Sequence, residues 1–147
     1  MNIVINIDDI DNRNIFLGSN IKNTIIENGI FYKLKYSNHV FTLNNLFIKI
    51  DINEYKIFKN YSRYKCIFDA NKYRTFIDKI SALEHSILGK IERKKNTKPS
   101  ISNILLSGTL KLSYYPNSKE TIALKLSGIW ETLHDYGLTY KFVIVSK

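Results

Sequence analysis

The chain has 147 residues, a hydrophobic fraction of 44% and one cysteine. This composition fits one globular domain with its own core and excludes a disulfide scaffold or a disordered chain. The formal net charge is +9, from 22 basic and 13 acidic side chains, which favours nucleic acid, an anionic membrane surface or an acidic protein as partner. No stretch resembles a signal peptide or a membrane span, so we expect a soluble protein of the reducing cytoplasm.

Alternating apolar residues predict β-structure in the first half of the chain. The predicted strands cover 3–7, 24–26, 30–36, 40–50 with an interruption at 44–45, and 55–68. Asn28-Gly29 lies between two of them and is typical of a hairpin turn, because both residues accept a positive φ. Cys66 lies in an apolar run, which predicts a buried thiol.

The period becomes helical from Asn71 to about Lys94. An apolar stripe with spacings of three and four runs through this segment: Tyr73, Phe76, Ile77, Ile80, Leu83, Ile87, Leu88 and Ile91. Asp69 or Asn71 can cap its start. This is the only helix that we predict, and we expect 96–103, which contains Pro99, to be a linker.

Strand patterns return after the linker. They cover 104–113, 121–127, 129–133 and 138–145, with a bend at Gly128 and a turn at 114–118. The predicted order is several strands, one long helix and then further strands. An oligonucleotide/oligosaccharide-binding (OB) barrel has this order of elements. We predict a mainly β, OB-fold-like single domain over residues 1–147, with an α+β sandwich of another topology as the alternative.

Catalytic motifs are missing from the sequence. It contains no Gly-rich phosphate loop, no Gly-x-Ser-x-Gly and no His-Glu-x-x-His, and its cysteine and three histidines have no zinc spacing. Asp8, Asp9 and Asp11 could hold Mg²⁺, although a solvated segment explains them as well. We expect neither enzyme activity nor a cofactor, and keep a metal-dependent nucleic-acid enzyme as an alternative.

Aromatic and basic side chains are interleaved in three clusters. Flat rings suit unstacked bases and cations suit phosphates, as on single-strand-binding surfaces. The candidate binding residues are Trp130, Tyr136, Tyr140, Lys125 and Lys141 in the last hairpin, Tyr61, Arg63, Tyr64 and Lys65 before the helix, and Lys111, Tyr114 and Tyr115 after it. We expect Tyr136 to be exposed and Trp130 to face Tyr140 across the hairpin. A core role remains open for Trp130 and for each tyrosine.

The segments Leu126-Ser-Gly-Ile-Trp130 and Tyr136-Gly-Leu-Thr-Tyr-Lys-Phe142 resemble the last hairpin of a family of small single-stranded-DNA-binding proteins. These proteins belong to large cytoplasmic DNA viruses and to the related cytoplasmic linear plasmids of yeasts. The resemblance implies an OB-like barrel that protects displaced strands during replication, with Trp130, Tyr136, Tyr140 and Lys141 in contact with the nucleic acid.

Lysine far outnumbers arginine in the chain. Because lysine contacts phosphate as a point charge while arginine reads guanine edges, we predict single-stranded DNA binding without sequence specificity. The alternative is a structural or interaction protein of a virus or plasmid. We expect no membrane partner, since acids lie among the bases of the helix. RNA binding and a homo-oligomer remain open.

Overall fold

A computed structural model describes residues 3–23, 29–91 and 96–147. The strands in these ranges are β1 (Val4–Ile5), β2 (Ile15–Asn23), β3 (Gly29–Ser37), β4 (Thr42–Leu43), β5 (Leu46–Lys49), β6 (Lys56–Asn60), β7 (Arg63–Ile67), β8 (Asn96–Thr97), β9 (Thr109–Leu112), β10 (Glu120–Glu131) and β11 (Asp135–Ser146). The helices are α1 (Arg74–Leu88) and α2 (Ile101–Leu106), with short 3₁₀ turns at Ile7–Asp9, Asn12–Asn14 and Ala70–Tyr73. The chain is therefore mainly β with one long helix, as predicted.

The larger of two sheets is built around β10. This strand pairs antiparallel with β11 along its length. Its other edge pairs antiparallel with β5 over residues 123–126 and with β3 over 128–131. β2 and β4 pair with β3, β1 pairs with β5, and β8 pairs with the start of β11. Four long strands from both ends of the chain thus share one surface.

The continuous strand with a bend at Gly128 is confirmed, because the β10–β11 register shifts between Leu126 and Gly128. The hairpin predicted around Asn28-Gly29 is present in part, since Asn23 pairs with Gly29. The strand predicted at 24–26 and the turn as far as Asn28 lie outside the described residues.

The smaller sheet has the order β6-β7-β9, with antiparallel neighbours. The prediction of one strand over 55–68 is wrong, because a two-residue loop at Tyr61–Ser62 divides it and pairs Asn60 with Arg63. Both arms of this hairpin have strand periodicity, and the intervening residues contain no glycine or proline to reveal the turn. In the described part of the chain, no backbone ladder joins β9 to β11.

The long helix packs its apolar stripe into the core, where Phe76, Ile77, Ile80 and Ile87 are buried. Its first turn is preceded by the 3₁₀ turn, and the Asp69 carboxylate accepts a hydrogen bond from the Asn71 backbone N–H at 3.1 Å. The helix ends at Leu88, so the predicted end near Lys94 is too late. Residues 92–95 lie outside the described residues.

The second helix, α2, contradicts the predicted linker over 96–103 and the predicted strand at 104–106. Its cause is tertiary: the buried Glu84 carboxylate accepts hydrogen bonds from the backbone N–H groups of Ser100 and Ile101, at 3.0 and 3.3 Å. Backbone N–H groups at the start of a helix have no acceptor within the helix itself. A cap supplied from another helix leaves no signal in the α2 sequence. Only the later part of the predicted strand forms, as β9.

The core lies between the inner sheet faces and the two helices, and its buried apolar side chains form one cluster. Cys66 is 1% exposed within this cluster, as predicted, and burial raises the pKa of its thiol to about 11. Among the described helices, none is long and apolar enough to cross a membrane.

Candidate nucleic-acid interface

The outer surface of the large sheet carries a set of lysines and aromatic rings, which we call the lysine face. Inward residues such as Leu34, Ile48 and Leu124 are buried, so the residues between them point away from the core. The lysine face comprises Lys33, Lys35, Lys49, Lys125 and Lys141 together with the rings of Phe16, Phe31, Phe47 and Trp130.

Cross-strand register brings these residues into rows. Phe47, Lys125 and Lys141 are directly opposed across β5, β10 and β11, and the Lys125 Nζ lies 6.0 Å from the Phe47 ring centroid. Phe16 opposes Lys35 on β2 and β3. Neighbouring strands are ~4.8 Å apart, so the backbone positions of opposed cations and rings in each row are about one strand spacing apart.

Lys125 and Lys141 are like charges placed directly opposite each other. Such pairs destabilise a sheet. None of the five lysines of the face forms an ion pair with a described residue. Asp135 is the one acid among the described outward residues of these strands, and its carboxylate lies 3.9 Å from the Lys98 Nζ. Among the described residues, the five lysines of the face therefore have no acidic partner.

Two aromatic rings of the lysine face lie over glycines. A Cβ at Gly137 would approach the Trp130 Cζ2 to 2.8 Å, and one at Gly128 would approach the Phe31 Cζ to 2.7 Å. Trp130 opposes Gly137, and Phe31 lies beside Trp130 on β3. The two half-buried rings thus occupy space that side chains on neighbouring strands would otherwise fill. This arrangement holds both rings against the sheet.

The last hairpin divides its predicted site residues between two faces. Trp130, Lys125 and Lys141 belong to the lysine face, as above. Tyr136 points inward and is 5% exposed, so the expectation that it is exposed is wrong. It pairs with Glu131, another buried residue, because the strand resumes immediately after the loop.

Tyr140 does not face Trp130, which corrects the predicted register. The hairpin turns earlier in the chain than expected, so Trp130 opposes Gly137 instead of Tyr140, and Tyr140 opposes the buried Leu126. The half-buried Tyr140 packs against the core, and its hydroxyl accepts a hydrogen bond from the Ser100 Oγ at 3.1 Å. Tyr136 and Tyr140 therefore have structural contacts and are not part of the lysine face.

The cluster before the helix lies on the smaller sheet. Arg63 and Lys65 point outward, whereas the half-buried Tyr64 packs against the core and contacts Tyr115 edge to face at 6.2 Å. Tyr61 is 94% exposed and has φ 58°, the one positive φ among described residues other than glycine. A left-handed backbone costs a residue with a side chain ~1–2 kcal/mol.

The cluster after the helix lies beside the same hairpin. Lys111 opposes Lys65 directly, a second pair of like charges. Tyr115 is 61% exposed and Tyr114 is 45% exposed. The Tyr114 hydroxyl donates a hydrogen bond to the Glu120 Oε2 at 3.0 Å, and this bond raises the pKa of the phenol. The second and third clusters are thus brought together by the fold.

The three N-terminal acids do not form a metal site in the structure. Asp8 accepts from the Lys79 Nζ at 2.6 Å, and Asp11 accepts from the Arg13 guanidinium at 2.8 Å. Among the described residues, no group of three or more His, Cys, Asp or Glu side chains is placed to hold a metal ion. The structure therefore offers no support for the Mg²⁺ alternative.

Several residues of the lysine face were missed as candidates. They are Phe16, Phe31, Lys33, Lys35, Phe47 and Lys49. Alternation within Phe31–Tyr36 already places Lys33 and Lys35 on one side of a strand. The missing information was the pairing of distant strands, which periodicity within one strand does not contain.

Comparison with protein-family models, with curated proteins and with solved structures finds no match to this chain.

Proposed function

We propose that this protein binds single-stranded DNA without strong sequence preference, through the lysine face. The observation that carries the proposal is the opposed pair Lys125 and Lys141, among lysines that form no ion pair with a described residue and on the same face as the exposed ring of Phe16. A folded protein loses stability by holding such a surface. A bound polyanion supplies the missing counter-charge, while rings stack on bases of any sequence.

The proposed chemistry favours single strands over duplex. Stacking requires unpaired bases, which are accessible in a single strand and hidden inside a duplex. Phe16, which is 53% exposed beside Lys35, is the most accessible ring of the lysine face. Lysine ammonium groups contact phosphates without reading base edges, which accounts for the lack of sequence preference.

The finer architecture that we propose is an OB-like barrel left open between β9 and β11. Its support is the order of elements, with α1 between the strand pair β6–β7 and β9. Protection of displaced strands during replication, a cytoplasmic location and kinship with viral and plasmid single-strand-binding proteins are further proposals. They are supported by the resemblance of residues 126–142.

Titration with oligothymidylate tests the proposal, with Trp130, the one tryptophan, as reporter. We expect its fluorescence to be quenched on binding. If all five lysines of the face contact phosphates, log K should fall with log salt at a slope of about −3.5, from about −0.7 per contact. A duplex of the same length is the control and should bind more weakly.

Replacement of Phe16 sharpens the test. Phe16→Ala should weaken binding by ~1 kcal/mol or more, because it removes a stacking ring. The matched control is Tyr55→Ala, since Tyr55 is 43% exposed and lies outside the lysine face. Salt-independent binding, equal affinity for duplex or equal effects of both variants would contradict the proposal.

A further inference from the structure

A second basic surface lies beside the lysine face, in the gap between the small sheet and β11. A cleft of about 570 Å³ is lined there by Arg63, Lys111, Tyr114 and Lys141. A smaller depression of about 240 Å³ continues it around the β6–β7 loop and shares Arg63 and Lys111 with it. Volumes of ~300–1,000 Å³ accommodate small ligands, so the cleft has room for a short segment of single strand and none for a duplex.

The cleft and its depression have the same electrostatic signature as the lysine face. Lys65 and Lys111 are directly opposed on β7 and β9, and both line the depression. Neither they nor Arg63 form an ion pair with a described residue. The like-charge arrangement therefore occurs twice, on two different sheets.

Tyr61 lines the depression and is the most exposed aromatic side chain in the described part of the molecule. Its ring is almost fully exposed, so packing does not account for its presence. Its left-handed backbone would suit glycine better. A strained position that holds a bulky exposed ring points to a role outside the fold.

Lys141 connects the two surfaces, because it belongs to the β10–β11 row of the lysine face and also lines the cleft. We infer that the cleft is a second segment of one continuous path for a single strand, with Tyr61 stacking on a base at its far end. The inference rests on the proposed function and adds a substrate class: single strands long enough to cover both surfaces.

Two lengths of oligothymidylate test this inference. We expect Tyr61→Gly to weaken an oligomer of about 15 nucleotides at least fivefold, and one of about 5 nucleotides, which fits on the lysine face alone, less than twofold. The double variant Lys65→Gln, Lys111→Gln should show the same dependence on length. Tyr61→Phe is the matched control and should bind both oligomers like the parent protein, because it retains the ring.

The Tm of Tyr61→Gly distinguishes a binding role from a structural role, because only a structural role predicts a lower Tm. Tyr61→Gly removes a strained residue, so we expect its Tm to equal or exceed that of the parent protein. A Tm lowered together with the affinity for both lengths would assign Tyr61 to the fold and overturn the inference.

The remaining outcomes separate this inference from the proposed function. If the parent protein binds neither oligomer, the proposed function fails. If it binds both and Tyr61→Gly has no effect on the longer one, the inference alone fails. Sedimentation of the free protein provides the last test. If Tyr61→Gly or the double variant Lys65→Gln, Lys111→Gln abolishes self-association and leaves oligonucleotide affinity intact, the cleft is a protein interface and the inference is overturned.

Discussion

Lysines occur on two sides of the molecule: on the helix side, which is α1 with the 3₁₀ turn before it and the turn after it, and on the lysine face. Their electrostatic surroundings are opposite. On the helix side, Lys72 lies 3.0 Å from the Glu54 carboxylate and Lys79 lies 2.6 Å from that of Asp8. The Glu54 hydrogen bond raises the pKa of Lys72. On the lysine face, Lys125 opposes Lys141 and no described acid pairs with either.

The difference shows that the position of the charges matters more than their sum. Exposed ion pairs contribute only ~0–1 kcal/mol to stability, but they neutralise charge locally and leave little to attract a polyanion. The lysine face retains its field because no described acid pairs with its five lysines. The net charge of +9 therefore does not show how strongly positive the potential is over the lysine face.

The largest effect on oligonucleotide affinity is expected when three lysines are replaced in one region and compared with three in the other. The triple variant Lys33→Gln, Lys35→Gln, Lys125→Gln should weaken oligothymidylate binding about 100-fold, since each charge contributes ~1 kcal/mol next to a phosphate in water. Fluorescence anisotropy at fixed salt measures the change. The reduction in the salt slope should be about 2, from three lost contacts.

The matched control removes three cations from the helix side, where Lys90 donates to the Asn12 carbonyl. Lys72→Gln, Lys79→Gln, Lys90→Gln changes the net charge equally, and we expect an effect of about threefold or less because distant charges are screened. Equal losses in the two triple variants would show that net charge alone governs binding, and the distinction between the regions would fail.

A smaller effect is expected from Glu84, a buried acid on the helix side with a structural role. Glu84→Ala leaves the backbone N–H groups of Ser100 and Ile101 without their acceptor, which should cost about 2 kcal/mol. A Tm decrease of about 4–8 °C follows for a domain of this size. Oligonucleotide affinity should not change at a temperature where the variant is folded.

Glu84→Gln retains a side-chain oxygen and is the control for this prediction. It should recover part of the lost stability. An unchanged Tm in Glu84→Ala would mean that α2 does not depend on this cap, whereas a loss of DNA affinity in the folded variant would place Glu84 in the binding surface.

The smallest expected effect concerns the core beneath the small sheet, where burial raises the pKa of the Cys66 thiol to about 11 from 9.0. The unfolded thiol releases its proton near the lower value, so this contribution to stability is complete below pH 9 and decreases as pH rises towards 11. Between about pH 8 and pH 10 the loss should be about 1.4 kcal/mol.

Urea unfolding of the parent protein and of Cys66→Val measures this loss as the difference between their pH dependences. The valine variant lacks the titrating group, so its stability should fall less over the same interval. Parallel profiles would show that the thiol ionises equally easily in the folded and unfolded states.

Sequence patterns predicted much of the secondary structure and part of the candidate site. The stripe from Phe76 to Leu88 and the strand with its bend at Gly128 were correctly predicted, because each follows from neighbours along the chain. The exposure of Tyr136 and the pairing of Trp130 with Tyr140 were wrong. A small error in the position of the loop changes every cross-strand partner, and a basic-aromatic pattern does not distinguish inward from outward rings.

Composition and local periodicity were enough to predict the β-rich character, the long helix, the buried thiol and the sign of the charge. Which lysines lie together depends on the packing of the folded chain. Lys33 lies on β3, far in the chain from Lys125 and Lys141 on the last hairpin, and joins them through the pairing of β3 with β10. Lys141 reaches the cleft because β11 passes beside β9. Such neighbours are set by strand pairing and sheet packing, for which the residues of one strand carry no local signal.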